Sequence, residues 1–584
     1  MGETTEEIQL SEKNLNNVEV SVPSTPNESE SEAVQATHQH DVHINLSWRS
    51  WVVVLISCFA VLAQVFVVVG SSNVIAFIIR DLGDPAIVGW IIQGPLLIQA
   101  TLSPIVGRLS DVVDRRYLVS IPPLIAFVGA VISAKAQDMA TLIGGGILIG
   151  VTLTSISITQ AIPAEVLPLK YRSLSQGLCF IAGSLGGLLG VLGGGGLTNT
   201  NANGWRGIYW LQAGLHLATS LGFLAFYWPA RPADRPRKSI MEVLWAMDPI
   251  GSFLFMSGTA LMLLALDWAG GTYQWHQVQV AAPLGIGMGL TVLFGVYEWL
   301  GRKDGLVAHV FFKGNNNFAL STFAFAVEGW IFFSAVNSVT TQIILNLGFE
   351  NSAWRISIRQ LSFNLCNLFA SVPIIWWATK RKDVKTPLYV TFVLFLITCI
   401  CYSFINPSMS KAQYGFNVMA GIGQAGPLTL LIALVQYTAP HAYLANATGL
   451  AFSARAIGGA FGSAVVNVII NSKLGKTLVP QVSSAAIKAG LPASSIPALM
   501  EGMATGNPVA LAAVPGISPS ILGAAFDASH HAYAGAYRLA WASIIPFVVL
   551  ALVAIIFVKG VQDLMTEEVE ATVEHVSLVE EKTV

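Results

Sequence analysis

The sequence predicts an all-α membrane protein with fourteen transmembrane helices, and three observations carry that prediction. Of 584 residues, 54% are hydrophobic and only 11% charged, whereas soluble domains hold about a quarter charged residues. Apolar runs of about 20 residues recur down most of the chain, each long enough to cross a hydrocarbon layer of about 30 Å as a helix. Basic residues gather between alternate runs. Helices are required because a span in lipid must pair its own backbone N–H and C=O groups, and runs this long exceed a barrel strand.

The first span, 51–76, follows a polar head, residues 1–47, holding nine Asp and Glu against one Lys. That head lacks an apolar core followed by small residues, so no cleaved signal is expected and the span doubles as the insertion signal. The second, 86–106, and third, 117–135, flank the charged stretch VGRLSDVVDRR. The fourth, 141–163, ends before Lys170 and Arg172, which precede the glycine-rich fifth, 175–197. The sixth, 207–228, runs from Arg206 to the cluster Arg231, Arg235, Arg237 and Lys238. The seventh and eighth, 249–267 and 279–299, keep Asp267 and Glu298 at their ends and lead to Arg302, Lys303 and Lys313. The ninth, 317–342, holds an acid near its middle. The tenth, 357–378, and eleventh, 387–405, flank Lys380, Arg381, Lys382 and Lys385, and the twelfth, 414–436, follows Lys411. The thirteenth, 448–470, and fourteenth, 537–558, lie on either side of an Ala-, Pro-, Gly- and Ser-rich outer loop, 471–536, expected to fold as short helices.

This order divides the chain into an acidic tail, 1–47; six spans, 48–230; two extra spans, 231–305; six spans, 306–558, with the outer loop; and a second acidic tail, 559–584. Both tails are poor in aromatics and are expected to be disordered. Excess of Lys and Arg in alternate loops puts both tails in the cytoplasm. The Asn-x-Ser/Thr sequences at Asn27, Asn45 and Asn446 then lie inside, away from glycosylation. Cys58, Cys179, Cys366, Cys399 and Cys401 all fall within spans, with no disulfide or metal-ligand spacing among them.

The stretch VGRLSDVVDRR, residues 106–116, sets Asp111 four and five residues before Arg115 and Arg116. On a helical turn the carboxylate can pair with them and favour the start of the third span. The alternative is a short loop carrying the positive-inside bias. Gly107, Leu109, Asp111, Arg115 and Arg116 together resemble the signature between the second and third helices of the major facilitator superfamily, G-x-L-a-D-r-x-G-r-k. The sequence departs from it at Val112 and Asp114. The resemblance implies a charged latch on the cytoplasmic face joining two six-helix bundles, which open alternately around a central cavity.

Further stretches extend the resemblance over residues 48–558. GSLGGLLGVLGGGG, 183–196, is similar to the antiporters' fifth-helix signature through Gly186, Gly190, Gly194 and Gly195, with Val191 in place of its proline; small-residue helix packing would give the same composition. In the fourth span Gly146 and Gly150 stand where the family has Arg and Gly. The two central spans resemble the fourteen-helix drug:proton antiporter branch. PAEVLPLKYRS and ATGLAFSARAIGGAFG are similar to fungal trichothecene efflux pumps and siderophore-iron transporters.

Glu328 is the acid deep in the ninth span. A charge there costs on the order of 3 kcal/mol or more, so such groups usually face a cavity and serve function. A carboxyl so placed can take up a proton from one side and release it to the other; the alternative is a neutral acid bonded to a neighbouring helix. Arg455 either snorkels to the cytoplasm or pairs with a carboxylate. Arg355 and Arg359 snorkel at the outer end of the tenth span. Thr152, Ser155, Thr159 and Gln160 share a face of the fourth span, and Gln64, Asn73, Gln93 and Gln99 stud the first two. With Trp90, Phe325, Trp330 and Phe333 they suit a wet, mostly uncharged cavity for an amphipathic organic molecule.

The expectation is proton-coupled efflux of toxins, drugs or secondary metabolites by alternating access. The runner-up is a proton-coupled ferric siderophore importer, and a third reading is a non-transporting nutrient sensor. His530 and His531 are read as solvated. His216 alone of the ten histidines falls inside a span, without converging acids, bases or metal ligands, so no catalytic residues, metal or cofactor are expected. The expected partners are a small-molecule substrate, protons and the lipid bilayer, with no nucleic acid. The expected state is a monomer in the plasma membrane, the vacuolar membrane being the alternative.

Overall fold

The computed structural model describes residues 48–83, 87, 90–198, 203–228, 239–269, 273–313, 315–350, 352–505 and 508–566. The head 1–47, most of the acidic end and the cluster 231–238 lie outside them, and with them the disorder expected of the tails. The described residues belong to one compact unit, Leu46–Val584. They are helical, without a named strand; an isolated bridge joins Ala269 to Tyr273.

In chain order the main helices are α1 (Trp48–Leu82), α2 (Trp90–Val112), α3 (Arg115–Ala134), α4 (Met139–Thr154), α5 (Ile156–Val166), α6 (Arg172–Thr198), α7 (Arg206–Phe226), α8 (Pro249–Trp268), α9 (Val278–Val296), α10 (Asn317–Trp330), α11 (Thr340–Asn346), α12 (Ala353–Lys380), α13 (Lys385–Tyr402), α14 (Ser410–Thr438), α15 (Leu444–Lys488), α16 (Ile496–Thr505) and α17 (Pro519–Phe557). Thirteen stretches among the described residues are long and apolar enough to cross a membrane. The remaining predicted span is α7, 21 residues long. Its inward face carries the buried polar residues Gln212, His216, Thr219 and Ser220, which dilute its hydropathy without shortening it.

Local chemistry explains several boundaries. Asp114 caps α3 by accepting the Arg116 N–H, and Asp138 caps α4 by accepting from the Thr141 N–H at 2.8 Å. Ser518 caps α17, with Pro519 in its first turn, where a missing N–H leaves no bond unmade. The ninth predicted span is not one α-helix: between α10 and α11, Ile331–Val339 is π-helical. Such windings leave carbonyls off the usual ladder. Here the Ser334 hydroxyl donates to the Trp330 carbonyl at 2.6 Å and the Thr340 hydroxyl to the Ala335 carbonyl at 3.1 Å.

Two boundaries differ from the sequence reading. Much of the predicted outer loop 471–536 is continuous helix, because α15 runs through 45 residues to Lys488 and α17 starts at Pro519. At 1.5 Å per residue α15 is about 68 Å long, well beyond a bilayer core. Ala- and Ser-rich turns sustain helix without looking membrane-like, and Val482, Ala486, Leu491, Leu499, Leu511, Val514, Ile521 and Ala525 bury a separate apolar cluster there, with α16 between the long helices. The second difference is the start of the acidic end. Residues 559–566 are seated, with Val561 and Met565 buried. The Met565 carbonyl accepts from Lys382 Nζ at 2.9 Å and the Thr566 carbonyl from the Lys170 N–H at 2.8 Å.

Packing joins the early and late helices along α2 against α15 and α6 against α12. Gly107 is where α2 meets the start of α15: a Cβ there would stand 2.5 Å from the Ala445 carbonyl oxygen. No other residue type permits that approach. The pair α8 and α9 lies to one side, with α8 against α2 and α15 and α9 against α8. Its two helices close on Gly258 and Gly287.

Candidate functional site

One polar cluster holds the early helices to the late ones, and a second ties three late helices together. The first is built on the last turn of α2 and the first turn of α3. Asp111, with its side chain 2% exposed, accepts from Arg115 Nη2 at 2.8 Å and, across to the first turn of α15, from the N–H groups of Asn446 at 2.9 Å and Ala445 at 3.4 Å. A carboxylate on free helix N–H groups is favoured by both hydrogen bonding and the helix dipole, by up to about 2 kcal/mol when partly buried. Arg115 also pairs with Glu165 at the end of α5 and donates from Nε to the Ser110 carbonyl at 3.2 Å. Asp111 and Glu165 therefore share one guanidinium.

Arg116 departs from the predicted pairing with Asp111. Its Nη2 donates to the Leu224 carbonyl at 2.7 Å and its guanidinium lies 3.2 Å from the centre of the Trp228 ring, so it ties α3 to the end of α7. Both arginines were within helical reach of Asp111, and the sequence has no signal for which one turns away.

Beside this cluster, further contacts cross between α5 or α6 and α14. Arg172 Nη1 donates to the Gln436 carbonyl at 2.6 Å, and the Gln160 carbonyl accepts from Gln176 at 2.9 Å and from Gln436 at 3.3 Å. Gln436 also reaches the Thr448 hydroxyl at 3.3 Å. Glu165, Gln176 and Gln436 were not singled out from sequence, and Arg172 was named only as a loop base beside Lys170; the charge of Glu165 beside a predicted span was the available signal.

The second cluster surrounds Glu328, which is wholly buried on α10. It accepts from Arg455 Nε at 2.5 Å, from Arg455 Nη2 at 3.1 Å and from the Gln424 side chain of α14. Arg455 pairs with the acid rather than snorkelling. Its guanidinium also lies 4.7 Å from the centre of the Phe333 ring, 5.1 Å from Phe332 and 5.4 Å from Phe325, contacts that favour a desolvated cation. The backbones meet here because Gly329 has no side chain: a Cβ would run into the Arg455 carbonyl.

The other predicted residues are dispersed. Gln64 donates to the Thr152 carbonyl at 2.9 Å and the Ser155 hydroxyl at 3.3 Å, a bond between α1 and α4 rather than a free cavity wall. Trp330 packs on Phe547, ring centres 4.2 Å apart. Gln93 and Trp90 line a small, open recess with Leu97, Leu263, Leu264, Asp267 and Ala460. Arg359 is buried, donating to the Ser410 carbonyl at 3.0 Å and Gln413 at 3.1 Å, not snorkelling. Of the glycines of α6, Gly186 meets the Leu62 carbonyl, Gly190 comes against Gly70 and Gly195 against Ser357, while Gly194 is buried. They form a packing face toward α1 and α12. The side chain of Asn73 lies outside the described residues.

Comparison with known proteins agrees with this architecture. An acurin A biosynthesis cluster MFS-type transporter of Aspergillus aculeatus is 26% identical over 405 residues, covering 69% of this chain and 72% of that protein. A trichothecene efflux pump of Fusarium sporotrichioides is 23% identical over 523 residues, covering 87% and 86%. Among solved structures, the proton:xylose symporter XylE bound to 6-bromo-6-deoxy-D-glucose superposes with a TM-score of 0.54 at 13% identity, over 89% of this chain and 99% of that one, a likeness of fold. Residues 53–463 match the Major Facilitator Superfamily. From the charged loop after α2 to the late helices it locks against, this chain belongs to the Major Facilitator Superfamily of membrane transporters.

Proposed function

We propose that the chain exports amphipathic organic compounds, of the class of fungal toxins and secondary metabolites, in exchange for protons by alternating access. Of the relatives named above, the trichothecene efflux pump supports the direction, and it and the biosynthesis-cluster transporter support the cargo class. One observation carries the coupling: Glu328 is buried against a guanidinium it holds through two hydrogen bonds. The ionised carboxylate ties α10 to α15; a protonated one loses the charge that holds Arg455, and the two helices can part. Breaking a buried pair of this kind commonly shifts energies by about 3–5 kcal/mol, the greater part of the roughly 5.5 kcal/mol that carries a two-state equilibrium from 1:99 to 99:1. The adjoining π-helical turn is the sort of irregular winding found at working sites.

In this reading Gly107, Asp111 and Arg115, with Glu165, form the latch of the closed cytoplasmic mouth. The basic residues around it, Arg108, Lys170, Arg172 and Lys382, support a cytoplasmic placement and with it cytoplasmic tails; the plasma membrane is part of the proposal. The division into 48–230, 231–305 and 306–558, acting as a monomer, belongs to the same proposal.

Proteoliposomes of the full chain with an imposed pH gradient, offered a panel of dyes and fungal metabolites, test it. Wild type accumulates cargo until a protonophore is added; Glu328→Gln binds cargo but does not accumulate it. Unaltered accumulation in Glu328→Gln removes the residue from coupling.

A further inference from the structure

The side pair α8 and α9 is bolted at one end to the segment that follows it. Asp248 and Glu298 are both buried, and both accept the Leu306 N–H, at 3.2 Å and 3.0 Å; Glu298 also accepts the Val307 N–H at 3.2 Å. Tyr297 donates its hydroxyl to Asp248 at 3.0 Å, and Arg302 stands 3.6 Å from the same carboxylate while donating to the Asp304 carbonyl at 3.0 Å. Residues 302–307 are thereby fixed to the hairpin.

From that fixed segment two links reach the latch. The Asp304 carboxylate accepts from Arg108 Nη2 at 2.8 Å and from the Tyr443 hydroxyl at 2.8 Å, and the Arg108 guanidinium lies 4.8 Å from the centre of the Tyr443 ring. The Leu306 carbonyl accepts from the Asn446 side chain at 3.0 Å, while the Asn446 N–H is held by Asp111. Arg108 belongs to α2, whereas Tyr443 and Asn446 stand at the start of α15. One short segment thus grips both elements that must separate when the latch opens, and it can follow only one of them.

We infer that the α8/α9 hairpin is a clasp on the latch, with Asp304 as the positioning residue that sets how firmly α2 and α15 stay together. This rests on the transporter reading above but is measured without cargo. Asp304 is more than half exposed, so its contribution is that of a screened surface pair, a trim on the equilibrium rather than its main lock.

Hydrogen–deuterium exchange of the full chain in nanodiscs reads the latch, because Ala445 and Asn446 donate their N–H groups to Asp111. Asp304→Asn is expected to raise exchange at 444–446 about two- to fivefold, Asp304→Glu to restore it, and Tyr443→Phe to give a smaller rise. Leu306 and Val307 keep wild-type protection throughout, and high salt reproduces the effect in wild type. Unchanged exchange at 444–446 in Asp304→Asn overturns the clasp. So does a rise that spreads to Leu306 and Val307 and is not reversed by Asp304→Glu, which would mark simple loosening of the hairpin. Failure here leaves the Glu328 experiment untouched, and failure at Glu328 leaves this one readable.

Discussion

Arg455 donates to both carboxylate oxygens of Glu328, from Nε at 2.5 Å and from Nη2 at 3.1 Å, so a single pair fastens α10 to α15 inside the protein. Removing one partner strands the other. Glu328→Gln should therefore cost about 3–5 kcal/mol of stability, seen as a lowered melting temperature in nanodiscs. The double variant Glu328→Gln with Arg455→Met should recover most of that loss while remaining uncoupled. A double variant as unstable as the sum of its parts would show that the two side chains do not act as a pair.

The two neighbouring arginines should behave differently. Arg115 is shared by Asp111 and Glu165, whereas Arg116 grips Leu224 and Trp228. Arg115→Gln should speed amide exchange at 444–446 at the start of α15 and impair transport by tenfold or more. Arg116→Gln should instead loosen the joint between α3 and α7, with exchange rising around 224–228. Equal effects at 444–446 would contradict the geometry.

Gly107 and Gly146 make a matched comparison. A methyl group on Gly107 would press on the Ala445 backbone, which cannot move aside as a flexible side chain can; on Gly146 it would meet nothing within 4 Å. Gly107→Ala should hold α2 away from α15 and lower transport. Gly146→Ala should be neutral or stabilising by about 0.5–1 kcal/mol, the helix preference for Ala. Flux and melting measurements on both variants decide it.

Acid should fray the start of α4. Asp138 is held below the usual aspartate range by the Thr141 backbone N–H and hydroxyl that it accepts from. With the folded value depressed, its contribution is complete at neutral pH and is lost as pH falls through and below about 4. Thr141 amide protection, taken relative to the intrinsic exchange rate at each pH, should fall over that window in wild type and be low at every pH in Asp138→Ala. A pH-independent profile in both would remove the cap from the account.

What the sequence made legible follows from how local the physics is. Spans are visible because lipid forces each backbone to pair within itself, and Glu328 stands out because an acid is so costly at that depth. The Asp111–Arg115 pair lies within one helical turn and could be read from spacing. Gln424 could not, since amides stud many spans and nothing marks the one that will face Glu328. The contact of Arg108 with Asp304 joins residues far apart in the chain, a relationship no local pattern carries. The helical ends of α15 and α17 were hidden by Ala, Ser and Pro, which suit exposed helix and loop alike. The seated residues 559–566 were hidden by the acidic stretch beyond them.

The π-helical segment Ile331–Val339 lies immediately beyond Glu328 and Trp330. Its backbone spans five residues per hydrogen bond instead of four, so it stores slack that an ordinary helix lacks. Rewinding even part of it would swivel the acid about the helix axis relative to Thr340. The helix that bears the buried carboxyl therefore contains its own torsion joint, and on the coupling proposed above a change of protonation would be met by a twist in place rather than by sliding the whole rod.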